Sequence, residues 1–351
     1  MARTGVSSDG ILRWPGGTVE THVIAVLYAA RGPGTGARDK GQTTRSDRMP
    51  RIIDMECSVP YGAAAKAKAA EAVEAKAAAP EPAAAGAHAQ PGYGMANYGR
   101  IFRSRREGAD HRPDVELDAY MDHLATLGIA RSVPFGVSNE ETAQLLRRFP
   151  GRFLGLARIS ITALKGMSGV RELERLVREE GFCALGVSAL VDCIPASDRR
   201  YYPLYTKAAE LGIPVRIYSS MNYANDRPYD LGHPRHLDQV AMDFPELKLI
   251  GGLGGWPWVN EMVALVRRHP NLHVDTSAHR ARYLGQAGSG WEMLIQFGNT
   301  LIQDKVMVGL SAGLVGQPYE TLIQEYLGLP LKDAVKEKWL YRNAARVFGL
   351  E

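Results

Sequence analysis

Downstream of Asp114 the apolar residues recur in two alternating rhythms, and each rhythm predicts an element. Apolar positions three and four apart predict amphipathic helices over 115–127, 140–149, 172–180, 202–211, 237–244, 259–268 and 291–297. Short apolar runs between them predict strands over 131–137, 153–159, 184–190, 214–218, 247–251, 272–275 and 306–308. With an opening strand at 52–54, the chain reads as about eight strand–helix units over about 300 residues. Units of that number and length predict an α/β fold, a closed (β/α)8 TIM barrel with insertions. The alternative is an open doubly wound sheet, for which the glycine-rich dinucleotide turn after the first strand is missing. Gly251-Gly252-Leu253-Gly254-Gly255 is glycine-rich, but Pro257 and Trp258 follow it where a phosphate loop needs a lysine.

Upstream, the pattern is different. Residues 1–48 are rich in Gly, Arg, Thr and Ser, and their apolar run over 23–30 is too short to span a bilayer. This segment reads as a flexible N-terminal extension, with the barrel domain over 49–351 starting at Met49. The stretch over 62–94 begins as Ala/Lys/Glu, of high helix propensity, and ends as a Gly/Ala/Pro run. It reads as an Ala-rich insertion on the face where the first strand ends.

Composition narrows the function. Of 351 residues, 45% are hydrophobic and 23% charged, the balance of a globular protein with a sizeable core. A net charge of +4 is too small to make nucleic acid or a membrane surface the default partner, so a small molecule is expected. Cys57, Cys183 and Cys193 form no close pair, which argues against a disulfide framework or structural zinc site and fits a cytoplasmic protein.

Barrel chemistry sits where strands end. Those positions hold Glu56 and Ser58, Arg158, Ser188, Tyr218 and Ser219, Leu253, Trp256 and Trp258, Asp275 and His279, and Ser311. Here the sequence resembles the metal-dependent amidohydrolase superfamily, in particular the branch of aminocarboxymuconate-semialdehyde decarboxylase and related aromatic-acid decarboxylases. The resemblance covers 52–350 and rests on Ile52-Ile53-Asp54, Gly212-Ile213-Pro214-Val215, Gly254-Gly255-Trp256-Pro257-Trp258, Asn271-Leu272-His273-Val274-Asp275-Thr276-Ser277 and Asn343-Ala344-Ala345-Arg346-Val347-Phe348-Gly349-Leu350.

The resemblance implies a divalent ion held by a His-x-His or Glu-x-His pair on the first strand, histidines on the fifth and sixth, and an aspartate on the eighth. This chain carries Glu56-Cys57-Ser58, Tyr218, Leu253 and Gly309-Leu310-Ser311 at those places. Leucine has no lone pair, and neutral serine and tyrosine are poor ligands for zinc or manganese, so no metal and no cofactor are expected.

Acid–base chemistry is the expected replacement. Glu56, in a partly dry mouth, is a candidate general acid or base; the equal alternative is a leftover ligand, hydrogen-bonded in a filled pocket. Tyr218 is a candidate donor to an oxyanion, and His279 a candidate titrating group. Ser58, Ser188, Ser219, Asp275 and Ser311 are candidate substrate-binding residues, with Arg158 and the Arg103-Ser104-Arg105-Arg106 run candidates for gripping a carboxylate. Trp256 is a candidate aromatic wall, while Trp258 reads as packing. Cys57 should point into the helix layer. The expected function is a metal-independent enzyme acting on a small aromatic or carboxylated metabolite, by decarboxylation or a dehydrative cyclisation or lyase step. The alternatives are a non-catalytic barrel that binds a ligand or pairs with an active relative, and a metal enzyme with a site rebuilt from Glu56, Asp275 and His279. The resemblance also implies a homodimer.

Overall fold

A computed structural model describes residues 50–60, 93–94, 96–101, 116–164 and 166–351, all within the compact unit Arg48–Glu351. The expectations for the extension over 1–48, for the arginine run over 103–106 and for nearly all of the Ala-rich segment over 62–94 lie outside these residues.

Among the described residues eight strands alternate with helices: β1 (Ile52–Ser58), β2 (Ile129–Phe135), β3 (Leu156–Arg158), β4 (Ala184–Val187), β5 (Val215–Tyr218), β6 (Leu249–Gly252), β7 (Leu272–Asp275) and β8 (Val306–Met307). β1 pairs with β2, and β3 through β8 pair in chain order, every pairing parallel. Two seams close the ring. A bridge between Ser132 and Phe153 joins β2 to the approach of β3, and Leu154 N–H donates to the Ser132 carbonyl at 2.9 Å. On the other side, Met55 N–H donates to the Val308 carbonyl at 2.9 Å and Ser311 N–H to the Glu56 carbonyl at 3.0 Å, which joins β8 to β1. The structure is a parallel (β/α)8 barrel.

Alternation along the strands divides the core into two layers. Ile53, Met55, Val133, Leu156, Ile250 and Met307 fill the barrel interior, and Ala344, Ala345 and Val347 of the closing helix close its lower end. Ile52, Cys57, Leu185, Val215 and Val274 face outward against helices such as Leu117–Thr126, Val259–Arg268 and Tyr319–Leu327. The helix Asn139–Arg148 starts at a capping box, in which Ser138 Oγ accepts from Glu141 N–H and the Glu141 carboxylate accepts from Ser138 N–H.

Element boundaries move where glycine intervenes. Strand β2 stops at Phe135, before Gly136 with φ of 76°, rather than reaching 137. The helix expected over 172–180 begins earlier, at Met167, because Gly169 lets its first turn lie against Ile159 and Leu164. The strand expected over 184–190 ends at Val187, and Ala189–Asp192 turns into a short helix. Among the described residues no helix is long and apolar enough to cross a membrane.

Candidate active site

The carboxyl ends of the strands surround a cavity of about 960 Å³. Its lower wall is Glu56 from β1, Arg158 from β3, Arg216 and Tyr218 from β5, and Leu253 after β6.

The cavity floor is a three-strand ion-pair network. Arg216 Nε donates to Asp275 Oδ2 at 2.7 Å, and Nη2 donates to Asp275 Oδ1 at 3.2 Å and to Glu56 Oε2 at 3.3 Å. Asp275 Oδ1 also accepts from Leu253 N–H at 3.1 Å and Ser277 N–H at 3.0 Å. Ser311 Oγ accepts from Ala278 N–H at 2.7 Å and donates to Glu56 Oε1 at 3.1 Å. The loops that deliver these groups are strained: Leu253, Ala278 and Ser311 have φ of 67°, 66° and 50° without being glycine. Left-handed backbone at a side-chain-bearing residue costs on the order of 1 kcal/mol each, and such costs concentrate at functional sites.

The two carboxyls that share Arg216 diverge in proton affinity. Burial raises the Glu56 pKa above the usual carboxylate range, the Arg216 charge opposes that only in part, and the Asp275 charge adds to it. Burial also acts against ionised Asp275, but the Arg216 charge and its two-point contact, with the hydrogen bonds from Ser277 and Leu253, outweigh it, and its pKa lies below the usual range. One guanidinium thus secures one anion and leaves the other carboxyl inclined to keep its proton. Behind them, burial pushes the Asp54 carboxyl up to about 8.

The side walls are aromatic. Trp256 and Trp291 stack with centroids 6.0 Å apart, and the His279 ring lies 4.8 Å from Trp291. Beside Trp256, whose carbonyl accepts from Met221 N–H at 2.7 Å, the Tyr218 hydroxyl donates to the Met221 carbonyl at 3.0 Å and lies 3.3 Å from the Tyr98 hydroxyl. Burial raises the Tyr218 pKa, so it is a neutral phenol whose proton is held by Met221. Arg158 lies over Phe135, 5.9 Å from its centroid, and donates to the Val137 carbonyl at 3.1 Å; among the described residues it meets no carboxylate.

The structure brings Glu56, Tyr218, His279, Arg158, Ser188 and Trp256 to one cavity. Four other expected site residues are not on its wall. Ser58 lies above Glu56 where β1 leaves the barrel, its carbonyl accepting from Tyr120 at 2.9 Å. Ser219 turns back into the strand and donates to the Ile217 carbonyl at 2.9 Å, and Ser220 lines the cavity in its place. Asp275 and Ser311 are fully buried beneath the floor, anchoring Arg216 and Glu56 instead of meeting a ligand. Trp258 is off the cavity wall and half-buried, packing against His233 at 4.5 Å and Tyr229 at 6.0 Å. Cys57 faces the helix layer, 3.4 Å from the hydroxyls of Tyr120 and Tyr319.

Sequence reasoning missed Arg216, although a signal was there. It is the one charge in the apolar run Val215-Arg216-Ile217-Tyr218, two residues before Tyr218 and hence on the same face. A charge in a barrel strand needs a buried partner. Trp291 and Tyr98 come from distant segments, and nothing local in the sequence ties them to this site.

Residues 87–350 match the amidohydrolase family, and the chain belongs to it. Its fold is similar to that of an uncharacterised TIM-barrel protein from Bordetella bronchiseptica, at 23% identity over 85% of this chain and 98% of that one, with a TM-score of 0.66. It is also similar to 5-carboxyvanillate decarboxylase from Sphingomonas paucimobilis, at 16% identity over 85% and 99% of the two chains, TM-score 0.57. A third similar structure is dihydroxybenzoic acid decarboxylase from Polaromonas with bound manganese and the inhibitor 2-nitroresorcinol, at 14% identity over 86% and 98%, TM-score 0.54.

The residues at this floor do not fit a divalent ion. Glu56 and Asp275 are the carboxylates that meet there, and a guanidinium already bridges them. Leu253, Tyr218 and Ser311 complete the surround with neutral side chains, and no group of three His, Cys, Asp or Glu suited to a metal occurs among the described residues.

Proposed function

We propose that the chain is a lyase-type enzyme that decarboxylates a hydroxylated aromatic acid by acid–base chemistry at Glu56, without a metal. The observation that carries this reading is a buried carboxyl, its pKa raised by burial, on the wall of an aromatic-lined cavity that also presents Arg158. The similar structures that act on aromatic carboxylates support the substrate class.

The substrate ring lies in the cavity lined by Trp256, Trp291 and Tyr218, and Arg158 receives the carboxylate as a charge-assisted pair. Glu56 delivers its proton to the ring carbon bearing the carboxylate. The bond to the carboxyl carbon then breaks, its electron pair restores the aromatic ring, and carbon dioxide leaves. The Glu56 carboxylate that results is held by Arg216 and Ser311 until it takes a proton from water. Tyr218, its own proton held by Met221, accepts a hydrogen bond from a ring hydroxyl.

The test is carbon dioxide release by the full chain from a panel of hydroxybenzoates and carboxyvanillates, with and without a chelator. Turnover that survives chelation and falls roughly 100- to 10,000-fold in Glu56→Gln is expected. Turnover abolished by chelation returns the site to metal chemistry. No turnover with any of the panel favours a non-catalytic, ligand-binding barrel.

A further inference from the structure

We propose that Arg216 is a resident cation standing where the fold otherwise takes a divalent ion, and that it keeps such an ion out. The inference deepens the metal-free reading of the same floor, and its test measures ion binding instead of turnover.

Three observations carry it. The first is position: the guanidinium joins carboxylates delivered by β1 and β7, so one side-chain cation spans strands on different sides of the barrel floor. The second is saturation. Every carboxylate oxygen of Glu56 and Asp275 already has a donor: Arg216 and Ser311 for Glu56, Arg216 with Leu253 N–H and Ser277 N–H for Asp275. A divalent ion would have to strip these contacts and then sit beside a positive charge in a dry pocket, where like charges repel most strongly.

The third is that the backbone around Arg216 is shaped to receive it. Gly252 ends β6 against the guanidinium, and a Cβ there would lie 3.2 Å from both Cζ and Nη2 and 3.3 Å from Nε. A side chain at 252 would press on the guanidinium plane. Leu253, next in the chain, supplies its N–H to Asp275 and turns an apolar side chain to the cavity. Strand β6 thus contributes room and a backbone donor, and no ligand.

Removing the guanidinium leaves two buried carboxyl groups with no cation between them, an arrangement in which a divalent cation can displace the Glu56 proton. The experiment compares the full wild-type chain with Arg216→Gln, which keeps hydrogen-bonding capacity without charge, and Arg216→His, which adds a ligand. Each is titrated with manganese chloride and zinc chloride by calorimetry, and thermal unfolding is followed with and without the ion. Wild type is expected to take up no stoichiometric ion and to show no shift. Both variants are expected to unfold at lower temperature and to be restored by the ion, with binding at least about tenfold tighter than wild type and lost again when Glu56→Gln is added.

A variant that folds only with the ion present supports the proposal equally. Stoichiometric, tight ion binding by wild type that is lost in Glu56→Gln overturns it, and so do variants that gain no affinity. If the variants gain none while wild type turns over in chelator, this inference fails and the proposed reaction stands. If the variants gain the ion but no acid is decarboxylated, the reverse holds.

Discussion

Arg216 and Asp275 meet through two parallel contacts, Nε to Oδ2 at 2.7 Å and Nη2 to Oδ1 at 3.2 Å, and this pair decides how much of the guanidinium is left for Glu56. Asp275 acts on Glu56 twice, by claiming Arg216 and by placing a like charge nearby; the second raises the Glu56 pKa directly. Asp275→Asn removes both effects, so Glu56 gains a larger share of Arg216 and its pKa falls. The protonated acid is then lost at lower pH, and the alkaline limb of kcat/KM is expected to move toward acid. Breaking a buried pair also costs about 3–5 kcal/mol. A pH–rate profile alongside urea unfolding checks both parts, and an unmoved alkaline limb would mean that Glu56 is not the titrating acid.

Arg158 offers the sharper test of substrate recognition, because it makes no ion-pair contact among the described residues and it faces the cavity. A charge-assisted hydrogen bond contributes about 1.5–3 kcal/mol, so Arg158→Met is expected to raise KM roughly 10- to 100-fold with a smaller effect on kcat. Arg158→Lys keeps the charge but not the planar fork and should fall between. Equal losses in kcat with KM unchanged would move Arg158 from binding to chemistry.

The barrel was legible because its causes are local. Buried strands such as Leu272–Asp275 are short apolar runs, and helices such as Val259–Arg268 carry an unbroken 3.6-residue stripe, so these bounds match the expected ones. The cavity positions Glu56, Arg158 and Tyr218 were legible from their place at strand ends. The division between wall and floor was not. Asp275 and Ser311 looked like ligand contacts because a strand end points inward, but Asp275 is taken up by Arg216 and Ser311 by Glu56 and the Ala278 N–H. The role of Arg216 depends on two partners, Glu56 and Asp275, that only the closed barrel brings together.

Cysteine chemistry separates cleanly by environment. Burial pushes the Cys57 and Cys183 thiols up to about 12, while Cys193 is exposed. The thiolate is the reactive form, so iodoacetamide at neutral pH is expected to label Cys193 well before the other two, with no loss of turnover. Peptide mass mapping against residual activity checks this. Rapid labelling of Cys57 with matching inactivation would place a nucleophile in the site.

Asp54 ties stability to pH from behind the floor. Its Oδ1 accepts from Glu56 N–H at 3.1 Å and Leu310 N–H at 2.7 Å, while Oδ2 has no partner among the described residues. Burial outweighs those two bonds, and the Glu56 and Asp275 charges add to it, so a carboxyl that ordinarily titrates at 3.8 is pushed up to about 8. Between those values the folded chain holds a proton that the unfolded chain releases. Stability therefore falls as pH rises across that window, by at most about 1.4 kcal/mol per pH unit from this group, and the slope vanishes on either side. Asp54→Asn keeps the Oδ1 acceptor and has no proton to lose. Its amide brings an extra unpaired donor, a constant offset at every pH, so the slope and not the level is the test. Urea unfolding from about pH 5 to about pH 8 is expected to give a flatter curve for the variant than for wild type. Parallel curves would mean that Asp54 is already ionised in the folded protein, and that its unpaired oxygen meets a donor that lowers its pKa.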